Sequence, residues 1–304
     1  MLFFRRSPPI NELTYRPLLP ADLAAVSALI EQTEWSALSM PYDELPLVIE
    51  DGFSLIAEHG GKIWAAIMSS WAAPPAAWMR ALVFHHSLRP AEALPPLLQA
   101  LERLLERQRA ASLYVMSDDR DALWLRPLLI RQGYAPELDV VGYEKRTMFI
   151  PSWGNDRITI RAATPEDVPQ ITLVDAAAFS AEWVKSEMTL GGVFPLAPCY
   201  LVAEQDGATI GYAFATLHHA GLVAHLVRIA VLPGLQRQAI GVRLLAEVVH
   251  WCRQRDVQIL SLNTQATNAT AQRLYEWFGF LRNGERQVVL AKALAAAPGQ
   301  AGQD

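Results

Sequence analysis

The chain has 304 residues, of which 52% are hydrophobic and 19% are charged, and its formal net charge at pH 7 is -5. This length is enough for two domains that each bury their own core, and the composition is that of a folded globular protein. The negative net charge and the lack of long lysine or arginine runs argue against a nucleic-acid partner.

The sequence also predicts where the protein is found. The two cysteines, Cys199 and Cys252, match neither a metal-ligand spacing nor a redox pair, which fits a reducing compartment. Residues 1–6 place apolar side chains before their charges, unlike a signal peptide. No apolar run reaches the roughly 18 residues of a membrane span. We therefore expect a cytoplasmic protein with no metal and no membrane partner.

An internal repeat runs through the chain. Three features of the first half recur 145 or 146 residues later: Arg16 with Asp22 as Arg161 with Asp167, Ala57-Glu58 as Ala203-Glu204, and Gly133-Tyr134 as Gly279-Phe280. One offset shared by the start, middle and end of each half predicts two copies of one fold. Proline, glycine and asparagine cluster at 151–155 and place the boundary there. The predicted domains are residues 1–150 and 151–304, with a disordered tail at 298–304.

In chain order, the second half is predicted to contain both strands and helices, which makes it α/β. Thr164, followed by Glu166 and Asp167, is a typical helix start. Asp206-Gly207 is typical of a hairpin turn. The predicted strands are 157–161, 199–204, 209–217, 222–231, 258–263 and 287–291, and the predicted helices are 165–179, 241–255 and 268–278.

Two segments carry the chemistry. The first, VLPGLQRQAIG at 231–241, predicts a strand, a short turn and a helix whose free N–H groups and positive dipole end suit a pyrophosphate. Small side chains at Ala239 and Gly241 leave room for close approach. Taken alone, this segment is more typical of an ordinary connection with Gly241 at a tight bend.

The second segment, NATAQRLYEWFGF at 268–280, follows the next predicted strand. Together, the two segments resemble the GNAT superfamily of acyl-CoA N-acetyltransferases over residues 157–294. The stretch 235–238 is similar to the branch that acetylates a ribosomal-protein alanine. The resemblance implies a mixed, mostly antiparallel sheet flanked by helices, with the pantetheine arm of acetyl-CoA between two splayed strands at 226–231 and 259–263.

The resemblance also implies a set of cofactor-binding residues. The backbone of Ile229, Ala230 and Val231 is expected to pair with the pantetheine arm, and Asn268 is expected to cap its helix and hold the arm or the loop. The residues expected to hold the pyrophosphate are Gln236, Arg237, Gln238, Ala239, Gly241 and Val242. Ala239 replaces the glycine usual in the family, so its methyl group faces the phosphate path unless its φ is negative.

Two residues are candidates for proton transfer. Tyr275 matches the tyrosine that many family members keep near the thioester sulfur, and its phenol could protonate the departing thiolate. Its alternative role is a buried aromatic at helical spacing from its neighbours. His225, predicted on the same strand face as Val227 and Ile229, could accept the proton of the amine. His218 and His219 are rivals for that role.

The first half is predicted to have lost this chemistry. No glycine occurs between Gly61 and Gly133. In the segment aligned with the pyrophosphate loop, prolines 90, 95 and 96 are predicted to remove donors, and Glu92 adds negative charge. Ala122 and Leu129 stand opposite Asn268 and Tyr275. The first half is therefore expected to be a degenerate copy that shapes the acceptor pocket or completes the structure.

The sequence thus predicts an N-acetyltransferase that moves acetyl from acetyl-CoA to a primary amine by direct attack in a ternary complex. The acceptor could be a small molecule, a protein N-terminus or a lysine, and the protein is expected to be a monomer or weak homodimer. One alternative is a non-catalytic acyl-CoA sensor or docking module. Others are a thiol or hydroxyl acceptor and a longer acyl chain.

Overall fold

The computed structural model describes residues 7–50, 53–73 and 75–294, so the predictions for 1–6 and 298–304 concern residues outside these ranges. The chain forms two compact units. The first unit is Met1–Glu137 with Val288–Asp304, and the second unit is Leu138–Gln287. None of the helices within the described ranges combines the length and apolar character that crossing a bilayer requires.

The first unit is an α/β structure whose sheet has the order β1-β3-β4-β5-β6, followed by residues 288–293, with β2 paired to β5. All pairs are antiparallel except β5 with β6. Its strands are β1 Thr14–Pro17, β2 Ser36–Leu38, β3 Phe53–His59, β4 Lys62–Ala73, β5 Ala76–Phe84 and β6 Ser112–Ser117, and its helices are α1 Leu23–Glu31, α2 Leu45–Glu50, α3 Pro90–Arg107 and α4 Leu125–Arg131.

The second unit repeats this plan with the order β7-β12-β11-β10-β9-β8, and only β11 with β12 is parallel. The remaining strands are β7 Ala135–Lys145, β8 Thr159–Ala162, β9 Cys199–Gln205, β10 Ala208–His218, β11 Val223–Val231, β12 Ile259–Gln265 and β13 Leu281–Ala293, and the remaining helices are α5 Val168–Ala178, α6 Glu187–Gly192, α7 Ile240–Gln254 and α8 Ala269–Trp277. Two strands span the division between the units: residues 138–145 of β7 belong to the second unit, and residues 288–293 of β13 belong to the first. The predicted mixed, mostly antiparallel sheet is confirmed.

Helices cover both faces of the sheet in the second unit. On one face, Val168, Ile171 and Val174 of α5 pack with Tyr212 and Phe214 of β10. On the other face, the apolar stripe of α7 packs with Phe278 and Phe280 and with alternate residues of β9, β10 and β11. Cys252 is fully buried in that stripe, as predicted. Alternation along each strand places successive side chains in the two cores.

The predicted helices and strands of the second half agree with the structure within about two residues, except at the last strand. The sequence predicted this strand at 287–291, within the second domain. The structure has β13 at Leu281–Ala293, and its residues 288–293 pair antiparallel with β6 in the first unit. In the second unit, residues 140–145 of β7 pair antiparallel with β12.

The two compact units therefore differ from the two halves of the sequence. Each unit receives its closing strand from the other half, because β7 belongs to residues 1–150 and β13 to residues 151–304. The boundary at 150/151 remains a prediction about the repeated copies. The exchanged strands satisfy backbone groups of β6 and β12 that would otherwise form open sheet edges.

One motif of the repeat forms the same contacts in both units. In the first unit, the Arg16 guanidinium contacts Asp22 at 2.7 Å and Glu58 at 2.9 Å. In the second, Arg161 contacts Asp167 at 2.7 Å and Glu204 at 2.6 Å. The hydrogen bonds from Arg161 lower the pKa of Asp167 to about 2. The carboxylates of Asp22 and Asp167 also accept the backbone N–H groups of Leu19 and Thr164, which fixes the turn before each helix.

Candidate active site

The site is organised by a bulge in β11. The register of β11 against β10 passes from Ala215–Leu226 to Phe214–Arg228, so Val227 is an extra residue on β11. The parallel pairing of β11 with β12 stops at Leu226–Leu262. Beyond this point β12 keeps only β7 as its partner among the described strands, up to Gln265, while residues 227–231 keep β10 as theirs. The predicted separation at 226–231 therefore agrees with the structure within one residue, and Ile229, Ala230 and Val231 lie in the separated part. The predicted separation of 259–263 is wrong for residues 259–262, which are still paired with β11.

A loop connects β11 to α7 and exposes backbone donors. Pro233–Leu235 form a 3-10 turn, and α7 begins at Ile240. The first intrahelical bond runs from Arg243 N to Ala239 O at 3.0 Å. The N–H groups of Ile240, Gly241 and Val242 lie before this bond and therefore have no hydrogen-bond acceptor within the helix. Such a helix start attracts an anion.

Ala239 adopts a glycine-like backbone, with φ 58° and ψ 20°. A negative φ was the condition under which the methyl group would not face the phosphate path, and this condition is not met. An L-residue in this left-handed region costs about 1–2 kcal/mol relative to the right-handed one. Gly241 does not have positive φ, and a Cβ there would meet only Val231 Cγ2 at 3.9 Å. The space beside the start of α7 is thus open.

The other predicted phosphate residues are exposed in the same loop. Gln236, Arg237 and Gln238 are all exposed, and Arg237 also has positive φ at 63°. The Gln236 side-chain amide donates to the carbonyl of Val231 at 3.4 Å. This contact ties the loop to the end of the separated strand.

Helix α8 contributes Asn268 and Tyr275. Asn268 accepts the N–H of Ala271 at 3.1 Å, so its predicted capping role is confirmed. Tyr275 is buried in the same apolar cluster as Leu226 and Ile240, which links α8 to the strand separation and to the start of α7. Burial raises the pKa of Tyr275 to about 12. Among the described residues, none forms a hydrogen bond with its hydroxyl.

His225 differs from its prediction in orientation. Ala224 and Leu226 belong to the α7-side cluster, so the intervening His225 faces the α5 side. Ile229 packs on the α7 side, because the bulge at Val227 reverses the alternation. The prediction that His225 and Ile229 share a face is therefore wrong. His225 Nδ1 lies 2.9 Å from Ser261 Oγ, and burial lowers the pKa of His225 to about 4.

A buried charge pair beside the site was not predicted. Asp175 of α5 is fully buried, and Arg228 follows the bulge and is 9% exposed. The Arg228 guanidinium donates to both carboxylate oxygens, at 2.8 and 3.0 Å, and lies 3.5 Å from the Phe179 ring centroid. The Tyr212 hydroxyl also donates to Asp175. Two sequence features could have indicated this pair: an aspartate within a predicted helix and an arginine within a largely apolar predicted strand.

This pair holds the segment between α5 and α6. The N–H of Lys185 donates to Asp175 at 2.7 Å, and Arg228 donates to the carbonyl of Trp183. Lys185 and Trp183 both lie in the loop 179–186, which connects α5 to α6. The charge pair thus anchors that loop to the strand that carries the bulge.

Within the ranges that the structure describes, the first unit has a similar separation of two parallel strands but lacks the long loop that follows it in the second unit. The parallel pairing of β5 with β6 stops at Met79–Val115, and the register against β4 skips Arg80. However, five residues separate β5 from α3, whereas eight separate β11 from α7. Glu92 lies in the first turn of α3, as predicted, and Pro90 occupies the first helical position.

The prediction that all three prolines of this region remove phosphate donors needs correction. Pro95 and Pro96 lie beyond the first turn of α3, so only Pro90 removes a donor at the helix start. The hydrophobic Leu129 is fully buried in α4, at the position that Tyr275 holds in α8. The described part of the first unit therefore lacks the second unit's long donor loop and its tyrosine.

In the second unit, a bulged strand separates from its parallel neighbour. A loop with free backbone N–H groups and the start of a helix follow that strand. This arrangement defines an acetyltransferase fold. Residues 169–280 match the family model described as Acetyltransferase (GNAT) family. The second unit therefore carries a GNAT acetyltransferase domain.

The chain is similar to several known proteins. A Bacillus subtilis (strain 168) protein, named as a candidate ribosomal protein bS18-alanine N-acetyltransferase, is 28% identical over 131 residues, which is 43% of this chain and 85% of that protein. The aminoglycoside N(6')-acetyltransferase type 1 of Klebsiella aerogenes is 30% identical over 101 residues, 31% of this chain and 66% of that protein.

The similarity in fold extends over both units. A solved tandem GNAT protein from the clavulanic acid biosynthesis pathway covers 95% of this chain and 100% of its own, with a TM-score of 0.64 and 15% identity. At this identity the similarity concerns the fold.

Proposed function

We propose that this protein transfers an acetyl group from acetyl-CoA to a primary amine, and that only the second unit binds the cosubstrate. The observation that carries the proposal is the separation of β11 from β12 at Leu226, directly before a loop and helix start with free N–H groups. The match of residues 169–280 to an acetyltransferase family supports it. In the first unit, the short loop before α3 and the proline at the first position of that helix support a single site.

The residues of the second unit fit acetyl-CoA. The N–H groups of Gly241 and Val242, with those of the loop 236–239, would hold the pyrophosphate, and Asn268 would hold the arm or the loop. Backbone groups of residues 229–231 would pair with the pantetheine amides. Bound acetyl-CoA supplies an activated acetyl thioester.

We propose that the amine attacks the acetyl carbonyl directly. Tyr275 holds its proton at neutral pH, because its pKa, which burial raises to about 12, lies far above 7, and it can donate that proton to the departing thiolate. Burial raises the pKa of Cys199 and Cys252 to about 12, which keeps both thiols protonated and unsuited to forming an acyl-enzyme. The pKa of His225, about 4, makes it a weak proton acceptor, so the proposal gives the amine's proton to solvent rather than to His225.

The relatives suggest which acceptors to assay first. One is named for a protein alanine and the other for an aminoglycoside, and both names describe acetylation of an amine. Peptides with N-terminal alanine, lysine peptides, polyamines and aminoglycosides form a suitable panel. If the protein binds acetyl-CoA but acetylates no amine in this panel, the result favours a sensor.

The test is calorimetric titration of acetyl-CoA into the wild type, Gly241→Glu and Gly241→Ala. We expect one site per chain in the wild type and no detectable binding to Gly241→Glu, because the new carboxylate repels the phosphates at the helix start. Gly241→Ala is the matched control and should bind, since its Cβ meets only Val231 Cγ2 at 3.9 Å. Two sites would contradict the assignment to the second unit alone, and no binding to the wild type would refute the proposed function.

A further inference from the structure

A segment of the second unit packs behind the phosphate loop. We call Trp153–Asn155 the clasp. The Asn155 side-chain amide donates to the carbonyl of Gln238 at 2.9 Å, and its backbone N–H donates to the carbonyl of Ala239 at 3.3 Å. Both acceptors belong to the loop that precedes α7. The sequence predicted only an interdomain boundary here.

These two contacts fix the direction of the loop's donors. In a planar trans peptide the C=O and N–H groups point in opposite directions. Holding the carbonyl of Gln238 therefore turns the N–H of Ala239 away from the clasp, and holding the carbonyl of Ala239 does the same for the N–H of Ile240. Both donors are thus turned to the side away from the clasp.

The clasp approaches the loop so closely that it needs a glycine. Gly154 has φ +69°, and a Cβ on it would lie 2.6 Å from the carbonyl oxygen of Ala239 and 2.6 Å from Arg243 N. The neighbouring Trp153 packs edge to face against His250 of α7, with ring centroids 5.4 Å apart. The Arg243 guanidinium lies 5.9 Å from the Trp153 ring centroid.

Asn155 is itself held in place. Its Oδ1 accepts the N–H of Arg157 at 2.9 Å, and the N–H of Gly154 donates to Ser152 Oγ at 3.1 Å. These local bonds orient the Asn155 amide towards the loop. The contacts matter because Ala239 is held in a left-handed conformation that alanine disfavours and that persists only where its surroundings enforce it.

We propose that Asn155 is a positioning residue for cosubstrate binding, which keeps the Ala239 loop in its binding-competent conformation. This inference rests on the proposed function. If Asn155 offsets the unfavourable backbone of Ala239, then glycine at 239 should make Asn155 less important, because glycine adopts positive φ readily. This coupling distinguishes positioning from a general loss of stability.

The test compares acetyl-CoA dissociation constants for the wild type, Asn155→Ala, Ala239→Gly and the double variant. We expect Asn155→Ala to weaken binding about tenfold, the effect of losing roughly one hydrogen bond's contribution to loop order. In the Ala239→Gly background the same substitution should weaken binding about threefold or less. With amine saturating, the KM for acetyl-CoA should rise in Asn155→Ala while kcat stays near the wild-type value.

A second measurement reports on the loop without any ligand. Arg237 is exposed within it, so trypsin can cleave after Arg237 when the loop opens. We expect Asn155→Ala to increase the initial cleavage rate at Arg237 several-fold, and Asn155→Ala in the Ala239→Gly background to increase it less.

The outcomes separate the two proposals. Failure of the wild type to bind acetyl-CoA would refute the proposed function, while the trypsin result would still decide whether the clasp orders the loop. Wild-type affinity in Asn155→Ala, or equal losses of affinity in both backgrounds, would overturn the positioning role. An unchanged cleavage rate at Arg237 would overturn it as well.

Discussion

Tyr275 illustrates how far a single residue can be predicted. The sequence predicted it on a helix, either as a proton donor or, as the alternative, as a buried aromatic. The structure confirms the helix and shows that the ring is buried, and its role as a proton donor stays a prediction. The residues that bury it were not predictable from local sequence. One of them, Tyr143, lies 132 positions earlier in the chain and packs against Tyr275 with the ring centroids 6.3 Å apart. The burial that raises the pKa of Tyr275 thus comes partly from a strand of the other sequence half.

Replacing Tyr275 by Phe removes the proposed proton donor and keeps the ring in the core. We expect kcat to fall about 100-fold or more, since general acid catalysis contributes typically 10²–10⁴-fold. The dissociation constant for acetyl-CoA should stay close to the wild-type value. Steady-state kinetics with calorimetry checks both, and an unchanged kcat would remove the acid role.

His225 is predicted to make the folded protein less stable as the pH falls. Its folded pKa, about 4, lies below the unfolded value near 6.5, so the unfolded state takes up a proton first as the pH falls. Its stabilising contribution is therefore complete above pH 6.5 and is lost between 6.5 and about 4.

The free energy of unfolding should fall between pH 7 and pH 5 in both the wild type and His225→Gln. We expect the decrease to be about 1–2 kcal/mol smaller in His225→Gln. Urea unfolding at the two pH values measures the difference. His85, whose pKa burial also lowers to about 4, should leave part of the pH dependence in the variant. Equal pH dependence of the two proteins would show that His225 titrates normally.

At the scale of elements, the connection between α5 and β11 depends on the pair of Asp175 and Arg228. Neither charge is more than 9% exposed, and the pair has further partners in Tyr212 and Trp183. Breaking such a pair leaves a buried charge without its counter-ion, which costs far more than the pair itself contributes.

Asp175→Asn should therefore lower the free energy of unfolding by about 3–5 kcal/mol. A suitable control is Glu92→Gln, which breaks the Arg89–Glu92 pair, whose side chains are 82% and 56% exposed, and should cost less than about 1 kcal/mol. Adding Arg228→Met to Asp175→Asn should recover part of the loss. Urea denaturation of the four proteins gives these values, and a loss under 1 kcal/mol for Asp175→Asn would contradict a buried charge pair.

Element positions were largely predictable, and the exceptions have physical causes. Periodicity and turn residues located the helices and strands of the second half, because these signals are local. The prediction of the sheet face on which His225 lies was wrong, because it assumed unbroken alternation. The bulge in β11 depends on the register with β10, which the local sequence does not reveal. The clasp was missed because its contacts join Asn155 to residues 83 or more positions away.

At the scale of the whole molecule, the exchanged strands make each unit depend on both sequence halves. In the second unit, the buried Lys145 of β7 donates to the carbonyl of Phe278 at the end of α8. In the first unit, Lys292 of β13 contacts Glu102 at 2.7 Å, and Glu102 also accepts from the Tyr134 hydroxyl. A repeat in sequence predicts two copies, but it does not predict which copy supplies the last strand.

A chain of residues 151–304 should therefore fail as an independent enzyme. It lacks β7, which leaves β12 an open edge and removes Tyr143 and Lys145 from the core. We expect it to bind no acetyl-CoA and to lack a cooperative thermal transition. A chain beginning at Ala135 retains β7 and is the matched control, expected to melt cooperatively. Wild-type binding by residues 151–304 would contradict this dependence.

The placement of β13 also bears on how the protein is made. Residues 288–293 complete the sheet of the first unit, yet they leave the ribosome after nearly all other described residues. The sheet of the first unit therefore cannot be completed until the residues of the second unit have been synthesised, in contrast to the usual order in which the N-terminal domain folds first. Until residues 288–293 emerge, one edge of β6 stays unpaired, and a chaperone or a second nascent chain could occupy it. Pairing must then join strands about 170 residues apart, which is a slow step.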